Sequence, residues 1–475
     1  MAMAADQPLS PAATAGNKEL HIAPMLNYST REFRQLMRIL STRLTLWTEM
    51  VVDETIAHAT KLDEHLAYDD MQHPIVCQIG GNSPRLCGKA TSIVLERYGY
   101  DEVNLNIDCP SERVSGRREF GACLMKKAEL AREIVGEMQA NAPPSAFVSV
   151  KCRIGVDDWD SLDFAADFIR TLQPVCQRFY LHARKCVLGG IMNARQNRSV
   201  PPLDYPRVYA LCDMFPDCHF WINGGIRTLE EARLIVYGWK GGCSTICDAE
   251  NDANRKQQNC HQVPCAICNL PYGSCTQPPV VAPSNLRGCM LGRAAMDDPS
   301  LFYNADKYFF GEASNPCTTR RDVLERYCVY LEKTYPRRCC DSDVRITFEY
   351  PAPKVAHERD CCKICSEIYS PGQISSCPGG SDENDEANSS SKDKDKDEKV
   401  AEKKKKRTRS KMSSRIIARC LKPVQGIFAG IPDSREFRRK CDDLGQNDAI
   451  RNCGPGFLLR MAMRSVSDDI LDSPL

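Results

Sequence analysis

Cys109 stands in the run NLNIDCPS, where Pro110 stops an apolar segment, so the thiol is expected at an open strand end rather than in a core. A thiol of ordinary pKa, about 8.5, is mostly protonated at neutral pH and can act as a general acid. Counted as one of 27 cysteines it reads as inert; its setting is what argues for chemistry. Lys151 closes the run FVSVK and His182 falls at the end of the strand-like run in FYLHAR. Buried cations need partners, and an anionic reduced flavin or a phosphate would serve. Taken singly, they read first as a salt-bridged rim lysine and a satisfied core histidine. Gln78, in VCQIGG, either caps its strand or hydrogen-bonds the edge of a flavin ring. NGGI (Asn223 to Ile226) and GRA (Gly292 to Ala294) each follow a strand-like run. Glycines there bare backbone N–H groups ahead of a helix, which can cradle a phosphate, and Arg293 adds a bidentate charge. Either one alone is a tight turn; together they point to phosphate.

Residues so far apart need a scaffold that gathers them. Short β-rich runs recur along the chain: LHIAPM, TLWTEM, PIVCQIG, EVNLNI, FVSVK, FYLHAR, HFWING and GCMLG. Each is too short for a buried helix and ends in turn or capping residues. Amphipathic stretches alternate with them. One runs from Ser29 with Phe33, Leu36, Met37 and Leu40 on a single face, and another places Leu162, Ala165, Ala166, Ile169 and Leu172 on one stripe. A third opens at Thr228, where Glu231 completes a capping box. Spacing alone also allows a doubly wound sheet. The polar residues Gln78, Asn106, Lys151, His182 and Asn223 cluster at strand C-terminal ends, which favours a parallel (β/α)8 TIM barrel with its active site at that mouth.

The expected organisation is a disordered tail at 1–19, a barrel at 20–312 interrupted by an irregular insertion at 241–286, and a small α-helical domain at 313–335 plus 411–468. A second irregular insertion, 336–410, divides that helical domain. It carries a cysteine cluster and then a charged tract almost devoid of large apolar residues, which reads as disordered. Lys and Arg number 63 against 62 Asp and Glu, so net charge argues for no polyanion partner and any basic surface must be local. No apolar run nears the roughly 18 residues of a membrane span, and the N-terminus lacks targeting character. The expectation is a soluble, monomeric, cytoplasmic protein. The basic run Lys403 to Lys411 reads as a nuclear-localisation patch, an RNA-contacting tail or a merely solvated charge run, so compartment stays open.

APML (Ala23 to Leu26), CQIGG, NLNIDCPSERV, FGACLM, VKCRIG, HARK, the pair Asn197–Arg198, PPLDYPRVY, NGGI and MLGRAA follow one another in order. Together they resemble the tRNA-dihydrouridine synthases of the DusA-type branch, and GIFAGIPDSREFRRK resembles that branch's C-terminal domain. The resemblance implies a flavoenzyme that uses FMN, reduced by NADPH, to reduce the C5=C6 bond of a D-loop uridine in tRNA. Flavin hydride would go to C6, and Cys109 would protonate C5. By the same resemblance Pro24, Met25, Leu26, Gln78, Lys151 and His182 hold the flavin, while Asn223, Gly224, Gly225, Gly292 and Arg293 form its phosphate segments. Asn106 and Arg198 match residues at the target base, with Arg184 nearby. Arg435, Arg438 and Arg439 recur at helical spacing and suit tRNA phosphates, or else form a solvated helix face.

Asp108 departs from the family, which has glycine there. Its side chain is expected to crowd the flavin and to raise the Cys109 pKa. The lid from Arg113 to Phe120 is about one residue longer than the family pattern. Two other functions compete: a flavin-dependent barrel oxidoreductase acting on a small pyrimidine, which needs neither PPLDYPRVY nor a basic tail, and a non-catalytic RNA-binding relative, which Asp108 makes conceivable. The insertions contain one CxxC each, Cys265–Cys268 and Cys362–Cys365. One CxxC is half a zinc site, so zinc is the lesser reading and reduced thiols in irregular chain the greater.

Overall fold

The computed structural model describes residues 18–111, 114, 119–238, 281–337, 412–432, 434–447 and 450–475. Contacts divide the chain into two compact units, one running to Thr318 and the other spanning Thr319–Pro474.

Every one of the eight runs read as a strand is one. They are β1 (Glu19–Ile22), β2 (Leu46–Val52), β3 (Ile75–Gly80), β4 (Glu102–Ile107), β5 (Phe147–Arg153), β6 (Arg178–His182), β7 (His219–Asn223) and β8 (Leu286–Leu291). All pair parallel in the order β1-β8-β7-β6-β5-β4-β3-β2. The ring closes where Ile22 donates to Thr45 (3.0 Å) and Thr45 to Leu20 (3.0 Å), around a parallel bridge from His21 to Thr45. This is the TIM barrel, not the doubly wound sheet. Strand β8 begins at Leu286 and so takes in the last residue of the expected insertion.

Helices begin where the caps predict. In α1 (Arg31–Leu40) the cap is Thr30, one residue past the expected start, with its hydroxyl accepting from Phe33 N. In α2 (Leu162–Leu172) Ser161 caps and Ala165, Ala166, Phe168, Ile169 and Leu172 are buried. In α3 (Leu229–Tyr237) the Thr228 hydroxyl accepts from Glu231 N at 3.0 Å. The Glu231 carboxylate returns to Arg227 N (2.7 Å), one residue before the cap rather than to the cap itself.

An eight-stranded barrel has an interior just wide enough for side chains, and aromatics fill this one. Tyr180 stacks on Trp221 with centroids 4.6 Å apart, and Trp47 meets Tyr180 edge-on at 4.7 Å. Ala23, Val76 and Met290 complete that buried plug, with Met25 against it. Such rings each remove about 150–250 Å² from water, which fixes the strands whose last residues form the mouth.

The second unit holds α4 (Arg320–Thr334), α5 (Ser414–Leu421), α6 (Ser434–Gln446), α7 (Pro455–Met463) and α8 (Asp468–Asp472). It therefore reaches past residue 468, and residues 313–318 belong with the barrel. On α6, Phe437, Cys441 and Leu444 are buried while Arg435, Arg438 and Arg439 are exposed. Among the described residues no helix is long and apolar enough to cross a membrane.

Candidate active site

The site follows from the pleat of β4 to β6. Side chains in a strand alternate, so residues two apart share a face. On β4 that face carries Glu102, Asn104 and Asn106, and Asp108 continues the series past the strand end. On β5 it carries Ser149, Lys151 and Arg153, and on β6 Tyr180 and His182. Pairing Asn106 with Lys151 and Arg153 with His182 brings these inward residues together. Lower in the barrel they form a hydrogen-bonded ladder. Gln78 donates to Asn104 (2.9 Å), Asn104 to Ser149 (2.8 Å), and Ser149 to Glu102 (2.6 Å).

Asp108 is the hub at the mouth. Lys151 Nζ donates to its Oδ2, Arg153 Nε to its Oδ1, and His182 Nδ1 lies 3.2 Å from that same Oδ1. Burial alone would raise this carboxyl, but Lys151, then Arg153 and His182, hold it well below the usual range. Burial first and Arg153 second push His182 down to about 3, against the pull of Asp108. The ring is thus neutral at neutral pH, and Nδ1 carries the proton that Asp108 accepts. Lys151 is 4% exposed, Arg153 1% and Asp108 16%. Neither Asp108 nor Arg153 was among the residues first singled out for chemistry. Strict alternation in EVNLNID and KCR is the signal that would have found both.

Cys109 sits beside the hub. Its N–H donates to Asn106 Oδ1 (3.0 Å), and Asn106 Nδ2 donates to Gln78 Oε1 (2.9 Å). Asn106, expected at the target base, thus braces the cysteine turn. From the other side Ala122 N donates to Cys109 O at 3.0 Å. Gly121 has φ +74, and a Cβ there would lie 2.6 Å from that same carbonyl, so only glycine lets the two backbones meet. Burial first, with Asp108 adding to it, raises the thiol pKa. The expected direction holds, although burial exceeds the carboxylate as its cause. A thiol so held keeps its proton at neutral pH and can donate it. Arg113, Arg117 and Arg118 of the expected lid lie outside the described residues.

Across the mouth from Asp108 are the glycine segments. Asn223 donates to Met290 O at 2.8 Å, which ties β7 to β8. Gly224 (φ +113) and Gly225 (φ +77) turn away beneath His182 and Leu203, and a Cβ on Gly225 would fall 2.3 Å from Leu203. Gly292 stands where a Cβ would approach Ala23 at 3.3 Å, beside the Pro24–Met25–Leu26 turn, whose Leu26 is 75% exposed. Arg293 Nη2 donates to Arg198 O at 3.0 Å. Arg184 donates through Nη1 to Pro201 O, yet its buried Nε has no hydrogen-bond partner. Burial, and repulsion from Arg293, Arg153 and Arg227, lower the Arg184 pKa. An unpartnered buried guanidinium Nε, with Arg293 near enough to repel it, fits a phosphate. The helix after Gly292 has only five residues, so the glycine turn and arginines, not a helix end, make that fit. Among the described residues no group of His, Cys, Asp or Glu is arranged to hold a metal. The CxxC pairs, Cys265–Cys268 and Cys362–Cys365, lie outside them.

A closed parallel barrel with its ionisable side chains gathered at the strand C-terminal mouth is the architecture of a (β/α)8 enzyme. A family model described as dihydrouridine synthase matches residues 21–247. A tRNA-dihydrouridine(20/20a) synthase of Vibrio cholerae serotype O1 is 35% identical over 316 residues, covering 66% of this chain and 80% of its own. The protein of the same description from Escherichia coli K12 is 44% identical over 222 residues, 46% of this chain and 62% of its own. The chain belongs to the dihydrouridine synthase family, in its DusA-type branch, and is a flavin-dependent oxidoreductase.

Proposed function

We propose that this chain is an FMN-dependent tRNA-dihydrouridine synthase that reduces the C5=C6 bond of a D-loop uridine, at the positions 20 and 20a for which its relatives are named. The observation that carries the reading is the placement of Cys109 at the mouth, its N–H held by Asn106 and its chain neighbour Asp108 in contact with Lys151 and His182. When bound, FMN supplies the hydride for uridine C6 and is itself reduced by NADPH.

The remaining work falls to this chain. Pro24, Met25 and Leu26 form one wall of the flavin site. Lys151 offers a cation to the ring, and His182 presents Nε2 beside Gly224. Gly224, Gly225, Gly292 and Arg293 receive the phosphate, joined by Arg184 through its orphaned Nε. Cys109 delivers a proton to C5 from Sγ. Asn106 positions Cys109 by accepting its N–H, and Gln78 in turn orients Asn106. Arg198 feels both Asp108 and Cys109, which supports a place at the target base. That base must leave its stack to reach a barrel mouth, at a cost of a few kcal/mol. Arg435, Arg438 and Arg439, exposed along α6, supply phosphate contacts toward that cost.

The test is direct. The purified protein should show flavin absorbance, and tRNA from cells lacking the gene should lose dihydrouridine in the D-loop by mass-spectrometric mapping. Unchanged dihydrouridine, or a colourless protein that takes up no added FMN, rejects the reading. Activity on free uridine rather than tRNA favours the small-pyrimidine alternative.

A further inference from the structure

Asp108 places a buried negative charge in the pocket where the proposed cofactor needs a positive one. Its two oxygens take the Lys151 ammonium and the Arg153 guanidinium. Arg153 is also anchored elsewhere, donating through Nη1 to Asn197 O (2.9 Å) and Lys185 O (3.1 Å). Lys151 is not. Among the described residues Asp108 is its hydrogen-bond partner, and an ammonium has three protons to give. With His182 neutral, the cluster contains two cations and one anion and keeps a single net positive charge.

We propose that Asp108 is the pocket's own counter-anion: it holds Lys151 and Arg153 together in the free protein and offsets the positive charge that a bound flavin meets. The inference rests on the FMN reading above and adds a consequence to it. Oxidised flavin is uncharged at its ring and reduced flavin is anionic, so positive charge near the ring favours the reduced form. A carboxylate sharing Lys151 weakens that preference and lowers the flavin midpoint potential. Asp108 is a positioning residue in this scheme, because it acts through Lys151 rather than on the flavin directly.

The experiment uses the full-length chain loaded with FMN and Asp108→Asn, which keeps the shape and removes the charge. Midpoint potentials are read against a reference dye during reduction by dithionite; the flavin takes two electrons from dithionite and one proton from buffer. The variant is expected at a potential higher by about 30 mV or more, which is a tenfold gain in preference for reduced over oxidised flavin for a two-electron couple. Its apoprotein is expected to melt lower than wild type, with FMN restoring more of the loss than it adds to wild type. Asp108→Ala offers a second route should the amide not fold. It leaves a space that formate can fill, and added formate should bring its potential back down. A potential unchanged or lowered in a variant that binds FMN overturns the proposal. So does an Asp108→Ala potential indifferent to formate. Failure of wild type itself to bind FMN is a different result, and it rejects the parent reading instead.

Discussion

The two sides of the barrel mouth treat positive charge differently. On the β4–β6 side, Lys151 and Arg153 are buried and share one carboxylate, Asp108. On the β6–β8 side, Arg293 repels both Arg184 and Arg198, and among the described residues no carboxylate is ion-paired with any of the three. A buried cation without a partner is costly. The second side tolerates its charge because Arg198 and Arg293 reach solvent and only Arg184 is deeply covered. On the proposed reading the division has a reason. A phosphate always arrives charged, so its receptor can wait uncompensated, whereas a flavin ring gains and loses charge with each turnover and meets a pocket already close to balance.

Cys109 lies at the seam between these sides, and its removal should have the largest effect. Cys109→Ala is expected to keep FMN and to lose about 10²–10⁴ in turnover, the scale of general-acid catalysis. Single-turnover reduction of tRNA by the pre-reduced enzyme measures this, and an unaltered rate would take Cys109 out of the chemistry.

Next in size is a stability contrast between the two sides. Arg153→Met leaves the buried Asp108 with one cation in place of two and should cost about 3–5 kcal/mol of unfolding free energy. Arg293→Ala, at an exposed position, should stay within about 0.5 kcal/mol. Urea titrations of both apoproteins test the pair, and equal losses would erase the distinction between compensated and open charge.

The ligand reverses that ranking. Charge-assisted hydrogen bonds contribute about 1.5–3 kcal/mol each, so Arg184→Met should weaken FMN binding by roughly 10- to 150-fold. Riboflavin, which lacks the phosphate, should bind both proteins alike. Fluorescence quenching with the two flavins decides this, and a parallel loss of riboflavin would show that Arg184 serves the ring or merely the fold.

The barrel was legible because its strands are short apolar runs with polar residues at one end, and alternation carries that pattern into space. Lys151, His182 and Cys109 were legible for the same reason. What residue type alone hides is where Asp108 points, although the alternation of β4 carried past its end gives it. As a departure from a family pattern it looked like an obstruction; as the fourth inward residue of Glu102–Asn104–Asn106–Asp108 it is the partner of three basic side chains. Asn106 is open to two roles because a carboxamide can face a ligand or brace a turn, and the register with Gln78 and the position of Cys109 N supply the brace. The Arg184 orphan was invisible in principle, since an unpaired atom is a property of packing and not of residue type.

Per pH unit, the smallest effect is the titration slope of the compensated side. Below about 6.5 an unfolded chain protonates His182, but in the folded protein that ring stays neutral until about 3. Across that window the unfolded state binds the extra proton, so acid weakens the fold by at most about 1.4 kcal/mol per pH unit from this group. Asp108 acts further down. Its folded pKa is held low, so its contribution is present above the carboxylate range and is lost only as pH falls through it. His182→Gln should therefore flatten the decline between pH 6.5 and the carboxylate range while leaving the steeper fall beneath it. Unfolding midpoints at intervals across that range measure the difference. An unchanged slope in His182→Gln would mean that the ring is not held neutral by burial and Arg153, and the account of the compensated side would need another titrating group.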